Sequence, residues 1–165
     1  KYAVDFSGPI AVRYPRGEAF DGLKEYRAPL EYGKAEVLYE ESEILLLAVG
    51  SMVKTALTVR ERLKEKGYSC SLVNARFVKP FDEELLLKLQ KNHKLLVTLE
   101  ENVQSGGFGE HVLEFMNTSG DGSMEVLNIA IPDVYVEHGN VELLRKETGI
   151  DADGIIGKII DRKAE

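Results

Sequence analysis

A single cysteine, Cys70, stands among the 165 residues, so no disulfide can form within the chain. That usage suits a reducing compartment, and the cytoplasm is the expected setting. Cys70 falls in an apolar, strand-like stretch and is expected to be a small core residue rather than a nucleophile. Positive charge is outnumbered by negative. The 21 Lys and Arg residues face 28 Asp and Glu, for a formal net charge of −7. A chain so acidic is not expected to bind nucleic acid. No apolar run approaches the length of a membrane span, and no membrane partner is expected. The three histidines, His93, His111 and His138, are scattered without metal-ligand spacing, so each is expected to be a surface or hydrogen-bonded residue. There is neither a G-x-G-x-x-G pattern nor a Walker lysine.

What is present is an alternation of strand and helix patterns, in a chain with 44% hydrophobic and 30% charged residues. Ala35 to Tyr39 alternates in character and predicts a strand. Ile44 to Val49 is a continuous apolar run, as expected of a strand covered on both faces. Ser51 is placed as an N-cap. Val53, Ala56, Leu57 and Leu63 then mark one face of a helix that stops at Gly67. The β-α unit repeats, with a strand over Ser69 to Asn74 and a helix from Asp82 to about Gln90. Asp82 caps that helix, and Phe81 and Leu86 form a hydrophobic staple. A third unit has a strand over Lys94 to Leu99, a glycine loop, and a helix over Gly109 to Met116. A strand over Val126 to Ile131, a short helix over Asn140 to Thr148, and a last helix capped by Asp151 complete the pattern. This alternation predicts a three-layer α/β (αβα) domain on a mostly parallel sheet of five strands. Ala35 to Tyr39 is the expected antiparallel member, because the turn to Ile44 is too short for a parallel crossover.

Four places carry possible chemistry. Ile10 to Val12 reads as a brief strand that runs into Arg13, Tyr14, Pro15 and Arg16, with Gly17 closing the turn. Pro15 stiffens the exit, so the arginines could present a fork to a phosphate or carboxylate; the plainer reading is a pair of surface ion pairs. The run Glu100 to Gly109, E-E-N-V-Q-S-G-G-F-G, follows a strand, where open α/β sheets bind ligands. Its glycines could offer N–H groups to an anion, but Glu100 and Glu101 would repel a phosphate. The two carboxylates could form an acid/base pair, or the loop could serve packing or an interface. Arg76 ends a core strand, where it could reach a ligand or pair with Glu100 or Glu101. Gly120-Asp121-Gly122 has the letters of a thiamine diphosphate motif but follows a helix and precedes a strand, so it reads as a turn.

Taken together, G-P-I-A-V-R-Y-P-R-G, V-N-A-R-F-V-K-P-F-D-E-E-L-L, L-V-T-L-E-E-N-V-Q-S-G-G-F-G, L-N-I-A-I-P-D and G-I-D-A-D-G-I carry a resemblance. Their order and spacing resemble the carboxyl-terminal part of the 1-deoxy-D-xylulose-5-phosphate synthases, a thiamine diphosphate family of the transketolase superfamily. Transketolases and the beta subunits of 2-oxo acid dehydrogenases, whose partner bears a lipoyl group, are the alternatives, less similar at R-Y-P-R-G and V-N-A-R-F-V-K-P. The resemblance implies a transketolase C-terminal-domain-like fold. It also implies a homodimeric parent enzyme that condenses pyruvate with glyceraldehyde 3-phosphate, loses CO2, and begins the methylerythritol phosphate route to isoprenoids. Thiamine diphosphate and Mg²⁺ are the parent's cofactors. Arg16 matches the arginine that binds the acceptor's phosphate; Arg13 and Tyr14 match the motif without an assigned contact. Residues 1–17 are then expected to be the tail of a preceding pyrimidine-binding domain, 18–33 a linker, and 34–165 the C-terminal-type domain. The family's cofactor-binding first domain and the glutamate that activates the thiamine ring have no counterpart here. The chain by itself is therefore expected to hold no catalytic, cofactor or metal residue, to bind no cofactor, and to be inactive.

Overall fold

The structure, a computed structural model, describes residues 1–14, 20–26 and 28–164. A short helix, α1 (Tyr2–Asp5), precedes a five-stranded sheet with its helices. The sheet strands are β1 (Glu36–Tyr39), β2 (Glu43–Ala48), β3 (Cys70–Asn74), β4 (His93–Val103) and β5 (Glu125–Ile131). The helices are α2 (Met52–Glu65), α3 (Glu83–Leu89), α4 (Phe108–Ser119), α5 (Val141–Glu147) and α6 (Ala152–Ala164). The spatial order is β1-β3-β2-β4-β5. β2 pairs in parallel with β3 and β4, and β4 with β5.

Alternation along β2 splits the core into two layers. Ile44, Leu46 and Ala48 pack on one face with α2 and α6, through Ala56, Leu63, Ile155 and Ile159. Leu45 and Leu47 pack on the other face with α3 and α4, through Leu86, Leu89, Phe108, Val112 and Met116. Side chains of successive strand residues point to opposite faces, so an unbroken apolar run is what a sheet covered on both sides requires. The expected three-layer arrangement is thus present. Asp82 caps α3 by accepting the Leu85 N–H at 3.2 Å. Asn140 caps α5 in the same way, accepting from Glu142 and Leu143.

Several expectations need correction. Ile10 to Val12 forms no strand; the segment has no helix or strand pairing, and Ile10 and Val12 are exposed. A strand needs an edge to satisfy its backbone, and the described edge strands β1 and β5 pair only with β3 and β4. β1 is antiparallel as expected, but its neighbour is β3, not β2. The connection of residues 40–42 therefore crosses the beginning of β3 instead of making a hairpin. It is held there by polar contacts. The Glu41 N–H donates to Ser71 Oγ at 2.7 Å, and Ser42 N–H donates to Ser69 Oγ at 3.1 Å. β4 runs on past Leu99 to Val103, so the first four residues of the expected glycine loop are strand.

Glu41 is the hub of that crossing. It accepts the Cys70 N–H at 3.2 Å, meets Lys64 at 3.1 Å, and pairs with Arg60, whose Nε donates to the Cys70 carbonyl. Burial pushes its carboxyl up, but the Lys64 hydrogen bond, the Cys70 N–H and the Arg60 charge outweigh that and hold it below the usual glutamate value. A depressed native pKa contributes stability above the unfolded value, and that stability fades as acid protonates the group. Glu41→Gln is therefore expected to lower the Tm at neutral pH. The gap between variant and parent should close as the pH falls below the ordinary glutamate value of about 4.5. Calorimetry over a pH series checks this.

Candidate functional site

The carboxyl ends of β2 and β4 form the natural place for a site. From β2 the chain next adds β3 on one side and later β4 on the other, and ligands of open α/β sheets bind where the order reverses. The E-E-N-V-Q-S-G-G-F-G run lies here. β4 pairs Leu99 with Ile129 and Val103 with Ile131, so three residues of β4 (Glu100, Glu101, Asn102) oppose Ala130 alone. Such a bulge re-aims side chains.

Glu100 is buried, 3% exposed. Its carboxylate accepts the Phe108 N–H at 2.9 Å and the Gly109 N–H at 2.7 Å. These belong to the first turn of α4, whose N-cap is Gly107 and has no side-chain cap of its own. The glycines do offer N–H groups to an anion, and that anion is Glu100 of the same chain. The positive end of the helix dipole and two unpaired amides make this a favourable seat for a carboxylate. The glycines are needed because the strand and helix approach closely. A Cβ on Gly107 would lie 2.6 Å from the Val103 carbonyl oxygen and 2.7 Å from Glu100 Oε1. One on Gly109 would lie 2.5 Å from Thr98 Oγ1 and 2.9 Å from Asn128 Oδ1.

Glu101 faces elsewhere. One carboxylate oxygen accepts Arg145 Nε at 2.7 Å and lies 2.6 Å from Arg145 Nη2. The other accepts the Ser51 hydroxyl. Ser51 does stand at the N-cap position of α2, but its side chain makes no cap bond; the hydroxyl is spent on Glu101. The Glu101 carbonyl accepts Arg13 Nη2 at 2.8 Å. Glu100 and Glu101 are thus not a free acid/base pair, since each is engaged by donors of this chain.

Arg76 pairs with neither of them. Its Nη2 lies 2.5 Å from Glu36 Oε2, and its guanidinium also donates to the carbonyls of Pro29 at 3.3 Å and Ala28 at 3.2 Å. It therefore fastens the 28–36 segment to the end of β3. Cys70 is fully buried, and burial pushes its thiol up to about 12, as expected of a core residue and not of a nucleophile. His93 is buried between the Leu89 carbonyl and Ser71 Oγ, at 2.6 and 2.8 Å. Asp121 sits in a turn between α4 and β5, where its carboxylate accepts the Ser123 N–H at 2.9 Å; hydrogen bonding to Ser123 holds its pKa below the usual value. Among the described residues no group of three or more His, Cys, Asp and Glu side chains could hold a metal ion. Arg16 lies outside the described residues. Sequence reasoning missed Ser51 as a partner for Glu101, and it missed Arg145 and Glu36. Arg145 lies 44 residues from Glu101, and no spacing rule joins them.

With this geometry in hand, residues 33–155 match the family model described as transketolase, C-terminal domain. The chain belongs to the transketolase C-terminal domain family. It is 49% identical over 159 residues to the 1-deoxy-D-xylulose-5-phosphate synthase of Lachnoclostridium phytofermentans, covering 96% of this chain and 25% of the relative. It is 45% identical over 157 residues to that of Desulforudis audaxviator, covering 94% of this chain and 25% of the relative. The chain therefore spans about a quarter of the length of these relatives. Among solved structures it is similar to a split gene transketolase, described as an inactive beta4 tetramer. The TM-score is 0.72 and the identity 26%, covering 80% of this chain and 42% of that one. The expected fold and family are both confirmed.

Replacing Glu100 tests the assignment of its carboxylate to α4. Glu100→Gln would set an amide donor against one of two buried N–H groups and leave that group unpaired. The expected cost is about 2–4 kcal/mol in urea unfolding. Gly109→Ala should cost a comparable amount, about 1–3 kcal/mol, because Thr98 and Asn128 must shift.

Proposed function

We propose that this chain is the carboxyl-terminal portion of a 1-deoxy-D-xylulose-5-phosphate synthase. Such an enzyme condenses pyruvate with glyceraldehyde 3-phosphate, releases CO2, and supplies the methylerythritol phosphate route to isoprenoids. The observation that carries the reading is the match to synthases over 96% of the chain at 49% identity. The motif R-Y-P-R-G at residues 13–17, which lies outside residues 33–155 matched by the family model, supports it as well. Residues 1–17 then belong to the preceding domain and 18–33 to a linker. Residues 34–165 form a structural unit whose acidic groups hold its own elements together. The parent is read as a cytoplasmic homodimer.

Arg16 is the substrate contact in this reading, donating to the phosphate of the acceptor. A guanidinium suits that role because its fork gives two charge-assisted hydrogen bonds to one phosphate. The parent's thiamine diphosphate and Mg²⁺ do not fit the described residues. Asp121 of the G-D-G triplet is folded into its own turn by Ser123, and the two carboxylates at the sheet end are taken by amides, Ser51 and Arg145. No step of the reaction is assigned to the chain's described side chains.

Two measurements test this. In the full-length enzyme, Arg16→Ala should raise KM for glyceraldehyde 3-phosphate by roughly 10–100-fold, as expected for a lost charge-assisted contact of about 1.5–3 kcal/mol. The KM for pyruvate should not move. Equal effects on both substrates would count against a phosphate contact. The 165-residue chain alone should give no heat of binding with thiamine diphosphate and Mg²⁺ by titration calorimetry; tight binding would refute the reading.

A further inference from the structure

The Glu101 carbonyl lies in the β4 bulge, where the ladder register to β5 is broken between Leu99 and Val103. On the other side, pairing with β2 ends at Leu99, whose carbonyl accepts the Val49 N–H. An acceptor at such a place needs a donor from elsewhere, and Arg13 Nη2 supplies it at 2.8 Å. The base of this contact is rigid. Glu101 is clamped by two bonds from Arg145 on α5 and by the hydroxyl of Ser51 at the start of α2. Three structural elements thus converge on the residue that receives Arg13. The arriving segment has no other regular pairing, since residues 8–14 lie in neither helix nor strand. Its other hold is upstream, where Tyr2 and Phe6 of the amino-terminal turn pack on Phe77 and Tyr32, with ring centroids 5.7 and 5.4 Å apart.

We infer that Arg13 is a positioning residue: through the Glu101 carbonyl it pins the segment of residues 8–14 to this domain and so favours capture of a phosphorylated acceptor. The inference rests on the reading that Arg16 binds the acceptor's phosphate. Arg13 follows Arg16 in no chemical step. It acts by limiting where the chain three residues on can go, because three residues of extended chain span at most about 11 Å. A backbone carbonyl is a suitable anchor, since it cannot rotate away as a side chain would.

The test uses the full-length enzyme with Arg13→Ala, Arg13→Lys and Arg16→Ala. Acceptors are glyceraldehyde 3-phosphate and unphosphorylated D-glyceraldehyde. Arg13→Ala is expected to raise KM for the phosphorylated acceptor about three- to tenfold, the worth of one net hydrogen bond. The kcat and the KM for D-glyceraldehyde should stay within about twofold. Arg13→Lys should recover most of the loss, because an ammonium can also donate to a carbonyl. Hydrogen exchange across residues 8–14 should quicken in Arg13→Ala and not in Arg16→Ala. If Arg16→Ala is selective for the phosphorylated acceptor but Arg13→Ala is not, or if Arg13→Ala leaves the exchange unchanged, the positioning role is overturned and the phosphate contact stands. If Arg16→Ala shows no selectivity, the phosphate contact itself falls, and the positioning role falls with it.

Discussion

A buried carboxylate seated on the first turn of a helix organises the carboxyl end of this sheet. Glu100 accepts from Phe108 and Gly109, so it fixes where α4 begins and how closely it lies against β4. The rest of α4 follows from that start. Phe108, Val112 and Met116 fall on one helical face and fill the core against Leu45, Leu47 and Leu96. Burying a carboxylate costs several kcal/mol in desolvation, so the two amide bonds and the helix dipole mainly offset that cost. The asymmetry matters more than the net value. With the carboxylate present, every donor on the first turn that it meets is satisfied; with it gone, two amides are buried without a partner.

The same seat explains why the sheet's reversal point offers no ligand its usual handles. Backbone amides at a helix start are what an anionic ligand would use, and here an internal side chain occupies them. The neighbouring carboxylate, Glu101, is likewise taken by Arg145 and Ser51. The Glu101 backbone carbonyl is taken as well, by Arg13 from the amino-terminal segment. The chemistry of the region is turned inward to join elements of the domain.

The layers were legible because burial leaves a period in the residues. Ile44 to Ala48 reads as a two-faced strand, and Asp82 and Asn140 read as caps from their position before helical patterns. Pairing choices were less legible. β1 looked bound to β2 by a three-residue turn, yet the turn crosses β3 because Glu41, Ser42, Ser69 and Ser71 provide polar contacts along that path. Nothing in local period encodes such a crossing. Glu100 was visible as a conspicuous acidic residue, but its role was hidden, because an acidic pair before glycines reads equally as a repeller of phosphate or as a reacting group. Only the distance to Phe108 and Gly109 distinguishes a carboxylate that excludes an anion from one that is the anion. Arg76 failed for a related reason: several carboxylates lie within plausible reach of a strand end, and the backbone path of residues 28–36 decides in favour of Glu36.

The parity of the β4 bulge accounts for how two adjacent carboxylates come to serve different elements. From Leu99 to Val103 is an even number of steps, and so is the step from Ile129 to Ile131 on β5. Side chains alternate faces along a strand, so an even excess on one side returns both strands to the same facing after the bulge. The excess residues are absorbed without exchanging core for solvent. Within the bulge, Glu100 turns to the α4 face and Glu101 to the side of Ser51 and Arg145. The spacing between Glu100 and the glycines is therefore constrained by the reach of a glutamate to the helix start.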